Sequence, residues 1–472
     1  MRDNGEGEYM AIQTSETSCH MQVDSRSNSA LSNEQTAVSA TRKNAHGGGF
    51  SLTGFLLLVA NITYWMCAGA YTPFLSSYFT SIGLSATEVG VLLTISPLAI
   101  IFIQPLWARL SDATGKRKLV LGFLAAASAA AALLYYVGTS YLTVLIATIV
   151  FVLFFSALLP LCDALVIQSC NDFGVEFAHV RMGGTTGYAF VVFIVGLYLD
   201  RAPQAQFIVV TALSLVFLAA VVALPQARRH EGTGTASHDE PTAAESAAEV
   251  SAAQPQATSI VRFASDRPVL GIFRTQEIFF ILAFAFVSQM GLGFSGSFLG
   301  RYVVELGYGQ SLVGVLSAVS ALSELPILLF SHKLVNRFGV MRLLAFSCVM
   351  MVARLVLIGM GTVTTMVAGQ LLQSVTYMTV YYCCTRYAAE AVLPGKLSQG
   401  QSIFVLVQSG LAMMVANLAG GAIGDTLGMR ASYFLSAGLV LVSTFVVLVA
   451  YRAWHASISH AHEPAAASVS RE

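Results

Sequence analysis

Asp163, Arg181, Glu324, Arg354 and Arg386 are ionisable side chains that stand inside or at the edge of long apolar runs. A charge surrounded by hydrocarbon is costly and is normally paired, so each marks either contact with something polar or a brace between helices. Asp163 can accept from two hydroxyls and the Arg181 fork can donate to several oxygens; equally, the two can brace neighbouring spans near one membrane face. Counting ~1.5 Å per helical residue puts Glu324 and Arg354 at similar depth near the midplane, where pairing is feasible. Burial opposes the charge of Glu324 and Arg354 favours it, so a movement that alternates the two would load and release a proton; a static pair that fixes packing is the other reading. Pro326 leaves the Leu322 carbonyl without its helical donor beside Glu324.

These groups must be positioned by membrane spans. Only 11% of the 472 residues are charged, against about 25% in soluble proteins, while 56% are apolar and mean hydropathy is +0.70. Lys plus Arg equals Asp plus Glu at 25 each, so no basic excess attracts nucleic acid. Windows of about 20 apolar residues predict twelve helices near 52–79, 86–109, 117–138, 141–169, 180–199, 206–224, 276–303, 311–334, 341–361, 364–391, 399–425 and 431–453. Lys and Arg concentrate in alternate loops, such as Lys116, Arg117 and Lys118, whereas the other set holds only Arg201 and Arg430, which predicts cytoplasmic termini. The expected organisation is a disordered tail (1–49), a six-helix bundle (50–224), a cytoplasmic linker (225–272), a second six-helix bundle (273–454) and a cytoplasmic tail (455–472). Lipid of the cell (inner or plasma) membrane is the expected surrounding, and a monomer the expected state.

The halves repeat at an offset of 224: Tyr78 matches Tyr302, Gly83 matches Gly307, Val89-Gly90-Val91-Leu92 matches Val313-Gly314-Val315-Leu316, and Gly115 matches Gly339. Homologous halves joined by a linker form the architecture in which a central site opens alternately to the two sides. No nucleophile with a neighbouring base stands at a span end, no His, Cys, Asp and Glu cluster suggests a metal, and no G-x-x-x-x-G-K-[ST] loop suggests ATP hydrolysis. Catalysis and a cofactor are therefore not expected, and energy must come from an ion or solute gradient. The seven cysteines lack any C-x2-C pair and read as small packed residues.

The segment Gln104-Pro105-Leu106-Trp107-Ala108-Arg109-Leu110-Ser111-Asp112-Ala113-Thr114-Gly115-Lys116-Arg117-Lys118 is similar to the signature loop between the second and third spans of the major facilitator superfamily. Ala108 replaces the usual Gly and Ala113 the usual basic residue. Gly115 permits a tight turn, Arg117 and its neighbours anchor at headgroups, and Asp112 can pair with cations or a helix N-terminus in one conformer. Asn336-Arg337-Phe338-Gly339 is a partial copy.

Within that superfamily the chain resembles lactose permease and its relatives, the oligosaccharide:proton symporters and the phenylpropionate-permease-like group. Gly69-Ala70-Tyr71 with Pro73-Phe74 carries part of the likeness, and Asp163 followed 18 residues later by Arg181, with Tyr188 beyond, carries the more specific part. The resemblance implies that Asp163 and Arg181 bind sugar hydroxyls, that Tyr188 stacks on a pyranose face, and that Asn61, Tyr64, Gln373 and Tyr377 on the first and tenth spans line the cavity. Arg354 falls on an Arg that the family uses close to its proton site. The likeness breaks in the tenth span, where Gln373 and Thr376 replace a His and the proton-carrying Glu, and neither titrates near neutral pH. Glu324 is therefore the expected proton carrier. The expectation is an all-α polytopic protein of twelve transmembrane helices in two pseudo-repeats that imports a small organic solute, such as a sugar or glycoside, with a proton. Aromatic-acid or nucleoside symport, uniport, drug export and, outside transport, a membrane receptor are the alternatives.

Overall fold

The computed structural model describes residues 52–173, 177–225, 273, 276–392 and 397–469, and every extended regular element among them is helical. The expected leader, 1–49, and nearly all of the expected linker, 225–272, lie outside the described residues. The chain enters through α1 (Leu52–Tyr71) and α2 (Leu75–Ser81), interrupted at Pro73, which lacks the N–H that would continue the ladder. Then follow α3 (Ala86–Phe102), α4 (Gln104–Thr114), α5 (Arg117–Ala132), α6 (Tyr141–Phe155), α7 (Leu158–Phe173), α8 (Phe177–Leu199) and α9 (Ala205–Ala223). The second part comprises α10 (Ile278–Glu305), α11 (Gln310–Phe338), α12 (Val340–Gly359), α13 (Val363–Leu371), α14 (Thr379–Ala391), α15 (Leu397–Val405), α16 (Met413–Leu427) and α17 (Met429–Val469). π-helical turns at Ser374–Met378 and Leu406–Ala412 join α13 to α14 and α15 to α16.

Eleven helical stretches among the described residues are long and apolar enough to cross a membrane. The expected tenth span, 364–391, is helical but not one of them, because Gln370, Gln373, its Thr and Tyr residues, Arg386 and Glu390 make it too polar. Two expected boundaries move. The second span, expected to end at 109, restarts at Gln104 and is helical to Thr114: Pro105 fits a helix start, and no breaker follows until Gly115, whose φ of +62° ends α4. The expected last span, 431–453, is part of a 41-residue helix, Met429–Val469, that continues through most of the expected tail.

Local signals start several helices. Ser85 forms a capping box with Glu88: its hydroxyl accepts from Glu88 N at 3.2 Å, and its own N–H donates to Glu88 Oε2 at 2.8 Å. Ser140 and Thr362 cap α6 and α13 in the simpler way.

Two apolar clusters organise the packing. One, with Leu57, Tyr64, Leu124, Leu161 and Phe217, lies wholly among the helices before residue 225. The other mixes residues from both parts, such as Tyr78, Val89 and Phe207 with Phe298, Tyr302 and Val313. Those mixed contacts lie at the pole opposite the basic Lys116-Arg117-Lys118 turn.

There α3 packs along α16 and α8 along α11, at matching points. A side chain at Gly90 would strike the Asn417 carbonyl, and one at Gly314 would strike the Val192 carbonyl, so both contacts need glycine. Two carboxylates complete the closure. Asp425, ending α16, accepts from Ala86 N at 2.6 Å and Thr87 N at 2.8 Å, thereby capping α3. Asp200, following α8, caps α11 in the same way through Gln310 N and Ser311 N. A cap contributes about 1 kcal/mol relative to Ala, so the double variant Asp200→Ala, Asp425→Ala is expected to favour opening of this pole by roughly 30-fold. Faster labelling of a cysteine placed at the fully buried Ser77, which donates to Gln310 Oε1 at 2.6 Å, would register it. An unchanged rate would show that the carboxylates do not hold the pole shut.

Candidate functional site

Midway along the bundle, α1, α7, α8, α11, α12 and the α13–α14 π turn bring most of the predicted polar residues together. Arg181 on α8 is the hub. Its guanidinium carbon lies 4.2 Å from the centre of the Trp65 ring, and it acts electrostatically on Asp163 of α7, Glu324 of α11, Tyr377 of the π turn and Tyr381 of α14. Arg rather than Lys suits this position, because a planar cation stacks on an aromatic face while its edges stay free to donate.

Asp163 is 4% exposed, and its Oδ1 has no protein hydrogen-bond partner. Asn61 is fully buried, and neither its Oδ1 nor its Nδ2 has a protein partner; the same holds for Trp65 Nε1. Buried polar atoms are normally satisfied by protein, ordered water or ligand, so several together outline a place where something polar is bound. Aromatic rings form its walls: Tyr64 meets Trp65 edge-on at 5.6 Å, Trp65 meets Tyr188 at 6.5 Å, and Tyr377 lies 6.2 Å from Tyr381.

Gly184, one turn after Arg181, sets the approach of α8 to α1. A Cβ there would strike Asn61 Oδ1 and the Trp65 ring. Gly184→Ala should therefore displace one or both, at about 1–3 kcal/mol for such overpacking, and weaken solute binding roughly tenfold or more. Unchanged affinity in purified variant protein would remove Asn61 and Trp65 from the site.

A direct pairing of Glu324 with Arg354, feasible by depth, is not what forms. Gln373 stands between them: its Oε1 accepts from Arg354 Nη1, and its Nε2 donates to Glu324 Oε1 at 3.1 Å. Arg354 is 2% exposed and is held further by Gln370 Oε1 at 2.9 Å and Thr376 Oγ1 at 3.1 Å. Residue counting fixes depth but not azimuth, and the π turn following Gln373 shifts which side chains face α12. Ser347 Oγ donates to the Val375 carbonyl at 2.9 Å and Ser288 Oγ to the Thr376 carbonyl at 3.3 Å, so neighbouring helices hold carbonyls of this irregular turn.

Other predicted residues lie elsewhere. Arg386 donates to Glu390 Oε1 at 2.7 Å on a more exposed part of α14, outside the central cluster. At the basic pole Arg117 pairs with Asp112 at 3.4 Å and donates to Gln168 Oε1 at 3.1 Å, so the turn containing Gly115 is tied to α7. Among the described residues no group of three or more His, Cys, Asp or Glu side chains could hold a metal ion. Sequence reasoning missed Trp65, although it lies four residues after Asn61 and so on the same helical face.

Comparison with known proteins gives this arrangement a family. The MFS_1 like family matches residues 52–435. "Maltose permease" of Geobacillus stearothermophilus is 25% identical over 391 residues, covering 81% of this chain and 90% of the relative. The "Probable 3-phenylpropionic acid transporter" of Escherichia coli (strain K12) is 25% identical over 386 residues, covering 79% and 91%. Among solved structures, a mutant of the nucleoside transporter NupG superposes with a TM-score of 0.71 at 15% identity, over 84% of this chain and 98% of that one, which establishes a shared fold.

Proposed function

The chain belongs to the MFS_1 like family and is a multi-pass membrane transporter, and from that premise we propose that it imports a neutral polyhydroxylated solute, a sugar or glycoside, together with a proton. The observation that carries the solute class is the set of buried atoms without protein partners around Arg181. Asn61 Oδ1 and Asp163 Oδ1 can only accept, whereas Asn61 Nδ2 and Trp65 Nε1 can only donate. A hydroxyl does both, so one sugar ring satisfies both kinds. Around the partnerless atoms Asp163 offsets Arg181, so this part of the cluster offers no net positive field to a carboxylate or phosphate whether or not Glu324 holds a proton. Tyr64, Trp65 and Tyr188 supply faces for the apolar side of a pyranose. The maltose permease relative supports the same class.

Asp163, Arg181, Asn61, Tyr64, Tyr188 and Tyr377 are the solute-binding residues in this reading, and Glu324 carries the proton. The two halves rock about this cluster, with the Asp112–Arg117 turn and the Asp200 and Asp425 caps holding opposite poles. The cell membrane is the proposed location and a monomer the working unit.

A thermal-shift screen of purified protein against disaccharides, aryl glycosides, nucleosides and 3-phenylpropionate tests the solute class, because a ligand of the native state raises its apparent stability. Stabilisation by saccharides is expected. Stabilisation by 3-phenylpropionate alone would replace the sugar reading with the aromatic-acid one, which the Escherichia coli relative represents. Solute-driven pH change in weakly buffered proteoliposomes then tests coupling, and its absence would leave uniport.

A further inference from the structure

Gln373 is anchored at both ends by groups of opposite charge. Arg354 has donors only, so it fixes the amide with its oxygen toward the guanidinium and its NH2 toward Glu324. A flipped amide would set NH2 against guanidinium and leave the carboxylate facing an acceptor. The orientation is thus determined by charge, and the π turn that begins at Ser374 keeps Gln370, Gln373 and Thr376 together around Arg354.

The consequence is separation. Glu324 and Arg354 influence each other electrostatically but form no direct ion pair. A carboxylate gripped by a guanidinium is held ionised and gives up the capacity to bind a proton under mild conditions. The other charged or titratable groups facing Glu324 are Arg181 and Tyr188 of α8 and Tyr377 of the π turn. Arg354 is joined to Glu324 through the neutral Gln373 amide.

We propose that Gln373 is a positioning residue that spaces Arg354 from Glu324, so that the carboxyl can gain and lose a proton during transport. This rests on Glu324 being the proton carrier. Its side chain therefore acts through the charge pair, and not as a solute ligand.

The test compares Gln373→Met, which keeps volume but removes both hydrogen bonds, with Gln373→Ser, which opens room for Arg354 to reach Glu324. Concentrative uptake and equilibrium exchange of the solute found in the screen are measured in proteoliposomes across pH, with Glu324→Gln in parallel. Both Gln373 variants are expected to lower the ratio of concentrative uptake to exchange by roughly tenfold, the effect of about 1.4 kcal/mol in proton loading. Gln373→Ser should also move half-maximal accumulation to lower pH. A ratio and pH profile matching the wild type, or a parallel fall of uptake and exchange at constant ratio, would overturn the spacer role. If neither variant inserts, the double variant Gln373→Ser, Arg354→Lys is read the same way: a ratio as high as that of Arg354→Lys alone overturns the proposal, and a lower one supports it. Wild-type accumulation by Glu324→Gln would instead overturn the carrier assignment beneath it.

Discussion

Asp163→Asn and Arg181→Gln are each expected to reduce solute affinity at least ~30-fold while leaving the protein folded and inserted, since removing one partner from a buried charged contact costs about 2 kcal/mol or more. The two act differently. Asp163→Asn exchanges one acceptor for a donor at a position where Oδ1 has no protein partner, so a solute hydroxyl that donates there meets NH2 instead. Arg181→Gln removes the cation that lies over Trp65 and serves both carboxylates. Arg181→Lys should recover little, because an ammonium cannot stack its plane on the indole while donating sideways. Binding of the purified variants, read by thermal shift and by uptake at low solute concentration, provides the check. Normal uptake in both would show that the pair only braces α7 against α8. A brace also predicts that the charge-reversed double variant Asp163→Arg, Arg181→Asp keeps function, whereas a binding site predicts that it does not.

Much of this could be read from residue order because the bilayer imposes a strong rule: every buried backbone group must be satisfied internally, so apolar runs become helices and polar breaks become turns. The repeat of Val89-Gly90-Val91-Leu92 as Val313-Gly314-Val315-Leu316 likewise pointed to equivalent helices, and α3 and α11 are both capped from the other half at their starts. The caps themselves were not legible. The role of Asp200 and Asp425 depends on which helix ends meet in three dimensions.

The candidate site was legible in membership but not in connectivity. Asp163, Arg181 and Tyr188 could be selected because charge and aromaticity in an apolar run are unusual, and the structure brings them close to Asn61 and Tyr64. The bridging contacts of Gln373 could not be read, since they depend on azimuths between α11, α12 and this span, and the π turn that follows it shifts its register against the residues beyond, with nothing in Ser374-Val375-Thr376-Tyr377-Met378 to announce that insertion. Trp65 was overlooked because an indole in an apolar helix reads as packing until its buried Nε1 is found without a protein partner.

Glu324→Gln is expected to abolish uphill accumulation while preserving exchange of solute across the membrane. The substitution is nearly isosteric, and its carbonyl still accepts from Gln373 Nε2, so the link from α11 to the π turn survives and the change is confined to proton binding. One proton per solute, driven by about 100 mV, supplies about 2.3 kcal/mol, enough for an accumulation ratio of roughly 50. Without a titratable group at residue 324 that ratio should fall to about one at any imposed voltage or pH gradient, by the requirement that a ligand shifts an equilibrium only through differential affinity. Exchange needs no proton to be released, because the carrier returns loaded, so it continues in the variant. The measurement is labelled-solute uptake into proteoliposomes under an imposed gradient, alongside counterflow without one. Retained accumulation would move the proton to another carboxylate, with Asp163 the next group to examine. Loss of counterflow together with accumulation would place Glu324 in solute binding, and the neutral Gln373 link would then serve the binding site instead of the proton.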